Sequence, residues 1–264
     1  MKKYILIAKN TCSEILTYRL NFVMWRVRTV FQFLTVYFLW LAVLPEKARI
    51  GDYTQALMLT YILGTSLISS IVFSTRTVDI GEEINEGNLS NFLLRPVNFF
   101  LYFVARDAGD KAMNISFAIF ELTILFLILK PPFFIQTDLL FILLFIIAIF
   151  FALIMYFFVS VLLGFIGFWS PEVWGPRFIF FMLISFFAGG LFPLDILPKA
   201  VFKVFELLPF FYFLYFPLKI YLGQLATSQI LTGFLVSSFW VFILYKTVQL
   251  VWIKGLRVYT AVGR

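Results

Sequence analysis

The residues of this chain specify an all-α integral membrane protein. Six transmembrane helices are expected, with both termini on the cytoplasmic side and re-entrant helices between the fifth and sixth spans. Three observations carry that expectation. Of 264 residues, 62% are hydrophobic and only 13% charged, with a mean hydropathy of +0.98, whereas a soluble domain carries roughly a quarter of its residues as Asp, Glu, Lys and Arg. No charged residue falls between Asp138 and Glu172, a stretch long enough to cross ~30 Å of hydrocarbon as a helix. With both termini inside, only Lys47, Arg49, Lys130, Lys199, Lys203 and Lys219 of the 21 basic residues fall on the outer side, which is the bias the positive-inside rule requires.

The elements follow in order. Residues 1–19 place Ile5, Ala8, Cys12 and Ile15 on one helical stripe, so the segment reads as an amphipathic helix on the membrane surface or as an extension of the first span. Its apolar run stops at Lys9 and Asn10, too short for a cleaved leader. The first span covers residues 20–44, with Arg26 and Arg28 expected to snorkel to the headgroups beside Trp25. The second covers residues 53–74, and a polar segment, 75–111, follows. The third, 112–129, is closed by Lys130, Pro131 and Pro132; the fourth, 139–168, is long enough to tilt or protrude. A fifth, 176–191, is followed by Pro193, Pro198, Pro209 and Pro217, which forbid a single straight helix. Residues 192–230 are therefore expected to dip into the membrane and return, their freed backbone groups buried by protein. The last span covers residues 231–253. No internal repeat or Gly/Ser linker divides the chain, so residues 1–264 read as one membrane domain.

Composition narrows the chemistry. The chain has no His and one Cys, Cys12, which removes the usual zinc ligand sets, His-based acid/base work and internal disulfides. The basic excess fits a membrane protein better than a nucleic-acid binder. No phosphate-binding loop of the Gly-x-x-x-x-Gly-Lys-Ser/Thr type occurs, so nucleotide hydrolysis would belong to another polypeptide. Asp107 and Asp110 sit between Arg106 and Lys111 and read as a solvated, charge-balanced helix end rather than a catalytic pair. Glu121, near the centre of the third span, is a functional candidate by location: a counter-charge, a proton site or a polar contact to another helix.

The polar segment contains an acidic front, Glu82, Glu83 and Glu86, then Gly87, then an apolar stripe at Leu89, Phe92 and Leu93 that ends at Arg95 and Pro96. A helix resting on headgroups would look similar, but carboxylates are repelled by an anionic leaflet, which favours a protein partner.

The run from Gly87 to Pro96, together with the run from Gly189 through Phe192, Pro193, Leu194 and Asp195 to Pro198, and Leu208, Pro209 and Phe210 before the last span, resembles the permease subunit of the type-2 ABC exporter family over nearly the whole chain. The likeness is closest to the branch of small standalone permeases that includes drug and viologen exporters. It implies a permease dimer, of two copies or of this chain and a sister permease, working with two copies of an ABC ATPase that carry the ATP and Mg; this chain itself would hold no cofactor. It implies that Glu82, Glu83, Glu86, Gly87, Leu89, Phe92, Leu93 and Arg95 form a coupling helix docked on the ATPase. It also implies that spans two and five line the dimer slit, with Tyr61, Thr65, Ser69 and Phe73 from one and Phe181, Ser185 and Gly189 from the other; plain helix packing would use the same residue types. The resemblance places span three away from the slit, which favours a polar contact for Glu121, so Glu121→Gln is expected to leave transport of a cationic drug mostly intact. Phe192, Pro193, Pro198, Pro209 and Phe210 belong to an outer gate, although an interfacial aromatic belt would have similar composition.

The expected function is export of a hydrophobic or amphipathic, drug-like compound across the cell membrane. Export of a lipid-linked glycan or peptide by the same machinery, a membrane-embedded lipid transferase, and a non-transporting scaffold or sensor are the rivals.

Overall fold

The computed structural model describes residues 2–46, 48–94 and 97–260, and it is helical nearly throughout. Helix α1, Lys2–Thr17, is separated at Tyr18 from α2, Arg19–Val43, so the N-terminal helix is a distinct element and not the start of the first span. It lies along α6, Phe99–Leu129. The crossing is close because of Gly109: a Cβ there would come 2.4 Å from the carbonyl oxygen of Ala8. The Cys12 thiol reaches the Gly109 carbonyl at 3.4 Å. The buried face of α1 carries Thr11 and Ile15, whereas Ile5, expected on the same stripe, is 58% exposed. A Gly109→Val change overpacks this crossing, at a typical cost of about 1–3 kcal/mol. The expected result is a rise of roughly tenfold or more in the rate of Cys12 alkylation by a maleimide.

The spans form where apolar runs are longest. Helix α3, Gln55–Val72, is capped by the Thr54 hydroxyl. Helix α6 begins at Phe99, where the Asn98 side chain accepts the Leu101 N–H at 3.1 Å, and so starts more than three turns before the expected residue 112. Its charged residues satisfy the helical period, and their partners lie on other elements, which is why hydropathy alone cut the helix short. Helix α7, Leu139–Gly164, runs into a 3-10 turn, Phe165–Phe168. Helix α11, Thr227–Val258, is the last span.

Among the described residues five helices, α2, α3, α6, α7 with its 3-10 turn, and α11, are long and apolar enough to cross a membrane. The fifth expected span is shorter than foreseen. Helix α8, Trp174–Phe187, has 14 residues, about 21 Å at 1.5 Å per residue, and gives way to Gly189, whose φ of +80° suits glycine and not a side-chain-bearing residue. The chain then passes through a 3-10 turn, Leu194–Ile196, into α9, Lys199–Glu206, and after Pro209–Tyr212 into α10, Tyr215–Tyr221. The two halves of this segment, Lys199–Glu206 and Pro209–Tyr221, meet at 80°, so the chain is broken where the prolines forbid one straight helix.

Two hydrophobic cores result. The larger joins α2, α3, α7, α10 and α11 around Tyr37, Tyr61, Met155, Phe213 and Leu218. The smaller gathers Ile80, Ile84, Leu89, Phe99, Phe103, Phe165 and Phe168 with Trp252 beside them. It lies at the opposite end of the bundle from the broken segment that holds α9 and α10. Within lipid, apolar contact between helices gains little over contact with acyl chains, so close packing and buried polar links fix the arrangement.

Candidate functional site

After α3 the chain turns through Thr77–Asp79 into α4, Ile80–Asn85. Gly87, with φ +77°, ends α4 in the left-handed conformation that a C-terminal turn favours, and α5, Leu89–Leu94, follows. The expected helix is thus two short helices hinged at Gly87. Helix α4 is pressed onto the end of α7. A Cβ on Gly81 would come 2.9 Å from the Val173 methyls, one on Gly167 would come 2.9 Å from the Gly81 carbonyl, and Ile80 fills the space over Gly164.

This seating decides which side chains face out. Glu82 and Glu86 are exposed and Glu83 half-buried; burial pushes the Glu83 carboxyl up from its ordinary range, opposed by the charge of Arg106. Leu94 is 86% exposed. Leu89 is fully buried, and the Phe92 ring packs on Phe99, Tyr102 and Phe103 with centroids at 5.9, 4.9 and 6.2 Å. The apolar stripe at Leu89 and Phe92, expected to meet a partner, therefore faces the chain's own core, because these rings and α7 offer it a closer apolar surface. The Leu93 side chain and Arg95 lie outside the described residues.

The turn before α4 is held by a buried charge network. Arg106 bridges Glu14 of α1 at 2.7 Å and Asp79 at 2.9 Å, and Arg76 bridges Asp110 at 3.0 Å. The Asp107 carboxylate accepts the Thr75 hydroxyl at 2.9 Å and the Arg76 N–H at 2.6 Å, while Lys111 donates to the Ser74 carbonyl. From α8, Arg177 donates to the Ser160 hydroxyl at 3.2 Å and to the Thr77 carbonyl at 3.3 Å. Arg106, Asp107 and Asp110 are buried, not the solvated helix end that local sequence implies; buried charges persist when each is paired. Burial pushes the Asp79 carboxyl up, and the Arg106 and Arg76 guanidiniums oppose it. A cleft of 480 Å³ opens between α1 and the start of α6, lined by Lys3, Asn10, Glu14, Phe92, Tyr102 and Arg106 among others. Among the described residues no cluster of acids and Cys could hold a metal ion.

Among the described residues two further polar nodes sit away from this turn. Arg26, expected to snorkel, is 7% exposed. Its Nε donates to Glu121 Oε1 at 2.9 Å, a second nitrogen pairs with Oε2, and a third reaches the Ser70 hydroxyl at 3.4 Å. Glu121 is thereby a contact between helices. Arg28, by contrast, faces outward with its guanidinium 4.8 Å from the Trp25 ring. The second node is at the re-entrant end. Lys219, 3% exposed, donates to Asp195 Oδ2 at 2.7 Å, Gln224 Oε1 at 2.6 Å and the Tyr53 hydroxyl at 3.1 Å. Sequence reasoning missed it, although a lone Lys in the apolar run before Gln224 and a lone Asp after Pro193 are the signal such a pair leaves.

A sequence model of the ABC-2 family transporter proteins matches residues 30–263. The chain belongs to the ABC-2 transporter family. It is a multi-pass protein of the cell membrane, and membership makes it a transport subunit rather than an enzyme and implies an ABC ATPase as partner. No curated protein matches the sequence. The match begins inside α2, so α1 and its crossing with α6 at Gly109 lie partly or wholly outside the matched region.

Within this ABC-2 protein, the residues assigned to a slit are placed unevenly. The Tyr61 hydroxyl donates to the Gly189 carbonyl at 2.7 Å, joining α3 to the end of α8. Thr65 is buried and bonds the Ile62 carbonyl of its own helix at 2.8 Å. Ser69 is half-buried, and the Phe73 ring lies 5.0 Å from Tyr156 and 6.2 Å from Phe213. Phe181 lies under the Arg28 guanidinium at 5.9 Å, and Ser185 bonds the Met182 carbonyl at 2.7 Å. Of the gate residues, Pro193 and Pro209 are buried and Pro198 is exposed. Phe192 packs on Phe186 at 5.6 Å, and Phe210 meets Phe180 and Phe187 at 5.6 and 5.9 Å.

Proposed function

We propose that this chain is the permease subunit of an ATP-driven exporter that moves a hydrophobic or amphipathic, drug-like compound out of the cell. Two copies of a partner ATPase bind and hydrolyse ATP with Mg, and the permease pairs with a second copy of itself or with a sister permease. Both termini and α4–α5 face the cytoplasm. The observation that carries this reading is the two-sidedness of α4–α5: Glu82, Glu86 and Leu94 turn outward, while Ile80, Ile84 and Leu89 are locked into a core shared with α6, α7 and α11.

A displacement of α4–α5 by the ATPase therefore cannot be absorbed locally. It passes through the small core to the ends of α6 and α7, and through the Arg106 pairs with Glu14 and Asp79 to α1. ATP binding then biases the permease between inward- and outward-open arrangements by the difference in its affinity for the two. Tyr61 and Gly189, tied across α3 and α8, and the aromatic segment beyond Phe192 supply the surfaces that part.

The test is a charge reversal. The purified chain alone is expected to hydrolyse no ATP, and Glu82→Lys combined with Glu86→Lys is expected to weaken ATPase association roughly tenfold or more while membrane insertion is unchanged. Association equal to that of the wild type would overturn the docking assignment.

A further inference from the structure

Tyr259 follows directly on the last helical residue of α11, Val258, in an extended conformation. Its hydroxyl donates to the Gly87 carbonyl and accepts the Ser90 N–H at 3.1 Å. Both groups belong to the turn between α4 and α5, 172 and 169 residues away in sequence. The Gly87 carbonyl also accepts the Ser90 hydroxyl at 2.8 Å, so the turn and the tyrosine form one closed set of hydrogen bonds. A glycine at position 87 is required for this, since its φ of +77° aims the carbonyl along a path that side-chain-bearing residues rarely follow.

The end of α11 is itself immobilised. Gly255 abuts Phe168, whose ring would lie 2.2 Å from a Cβ there. Trp252 stacks on Phe99 at 4.7 Å and packs on Phe165 at 5.3 Å. The Tyr259 ring meets Phe168 edge-on at 6.3 Å. Ring packing holds α11 against the end of α7 and the small core; the Tyr259 hydroxyl adds hydrogen bonds to the α4–α5 turn itself.

We propose that Tyr259 is a positioning residue of the coupling element, its hydroxyl tying the end of the last span to the Gly87 turn so that movement of α4–α5 is carried into α11. The proposal rests on the reading of α4–α5 as the surface the ATPase contacts. By this route the last span moves with the docking turn, alongside the transmission through α6 and α7. Deleting the hydroxyl leaves the Ser90 N–H without the Tyr259 acceptor and loosens the turn from α11, leaving the apolar contacts of the small core in place.

The experiment uses the full chain in lipid nanodiscs, with Cys12→Ser and nitroxide labels on Cys introduced at the outward-facing positions Asn91 and Lys254. Spin-spin distances are recorded without the ATPase, then in the ATPase complex with and without ATP and Mg. The wild-type chain is expected to give a narrow distance distribution, and Tyr259→Phe one about twofold wider. In the complex, the nucleotide-driven displacement at the α11 label is expected to fall by roughly half or more in Tyr259→Phe. An unchanged width would overturn the tether. A lowered unfolding midpoint with the nucleotide-driven displacement intact would show a hydrogen bond of stability only, and would also overturn the proposal. Absence of any nucleotide response in the wild-type complex would count against the ATPase reading, while the width, measured without the ATPase, decides the tether on its own.

Discussion

Glu121→Leu will destabilise the chain by about 3–5 kcal/mol, the usual cost of leaving one member of a buried ion pair uncompensated. Arg26 has the Ser70 hydroxyl as its other partner, at 3.4 Å, and its side chain is only 8% exposed, so it cannot reach water without α2 moving. The charge is a liability that Glu121 alone neutralises. Removing both members, with Arg26→Met added to Glu121→Leu, is expected to recover most of the loss, because the two apolar side chains fill similar volume and nothing charged remains. Unfolding followed by denaturant titration in mixed micelles checks both variants. A double variant as unstable as the single would mean that the pair does more than neutralise itself. Glu121→Gln keeps an acceptor for Arg26 and the shape of the contact, and on that ground is expected to cost less than the leucine and to leave transport mostly intact.

The second large effect is at the other end of the bundle. Asp195→Leu leaves Lys219 buried with the neutral acceptors of Gln224 and Tyr53 only, at a cost of about 3 kcal/mol. The consequence is local as well as global. Asp195 lies in the 3-10 turn after Pro193, and Lys219 is on α10, so the pair clamps the two halves of the re-entrant segment while Tyr53 ties both to the start of α3. Hydrogen exchange over residues 190–198 is expected to quicken in Asp195→Leu. In the double variant with Lys219→Met, stability is expected to return while this exchange stays fast. Exchange unchanged in both variants would show that the clamp lies elsewhere.

Much of the fold was legible because its causes are local. Apolar runs announce α2, α3, α7 and α11 through length alone, and Pro193, Pro198 and Pro209 announce the broken segment because a residue without an N–H is tolerated in a helix only in its first turn, where Pro217 sits in α10. What could not be read depends on partners distant in sequence. Arg106, Asp107 and Asp110 look like a wet helix end until Glu14 arrives from α1 and Arg76 and Asp79 from the turn before α4. Periodicity located the stripe of Leu89 and Phe92 but is silent about what the stripe faces; the rings of Phe99, Tyr102 and Phe103 claim it. The shortness of α8 follows from the Gly189–Gly190 pair, at which an apolar run continues while the backbone turns away. The family resemblance implies a slit position for Tyr61, and its bond to Gly189 is a tertiary contact that the local sequence does not encode.

The account stands on α4–α5 being the surface that an ATPase grips, and a contact map at that surface tests it directly. A photo-crosslinking side chain placed at Leu94, the outward tip of α5, and separately at Phe192 on the re-entrant segment, is irradiated in membranes holding the chain and its ATPase. The account predicts a covalent adduct with the ATPase from position 94 and none from position 192. An adduct from position 192, or its absence from position 94 in a complex that still hydrolyses ATP, would contradict it.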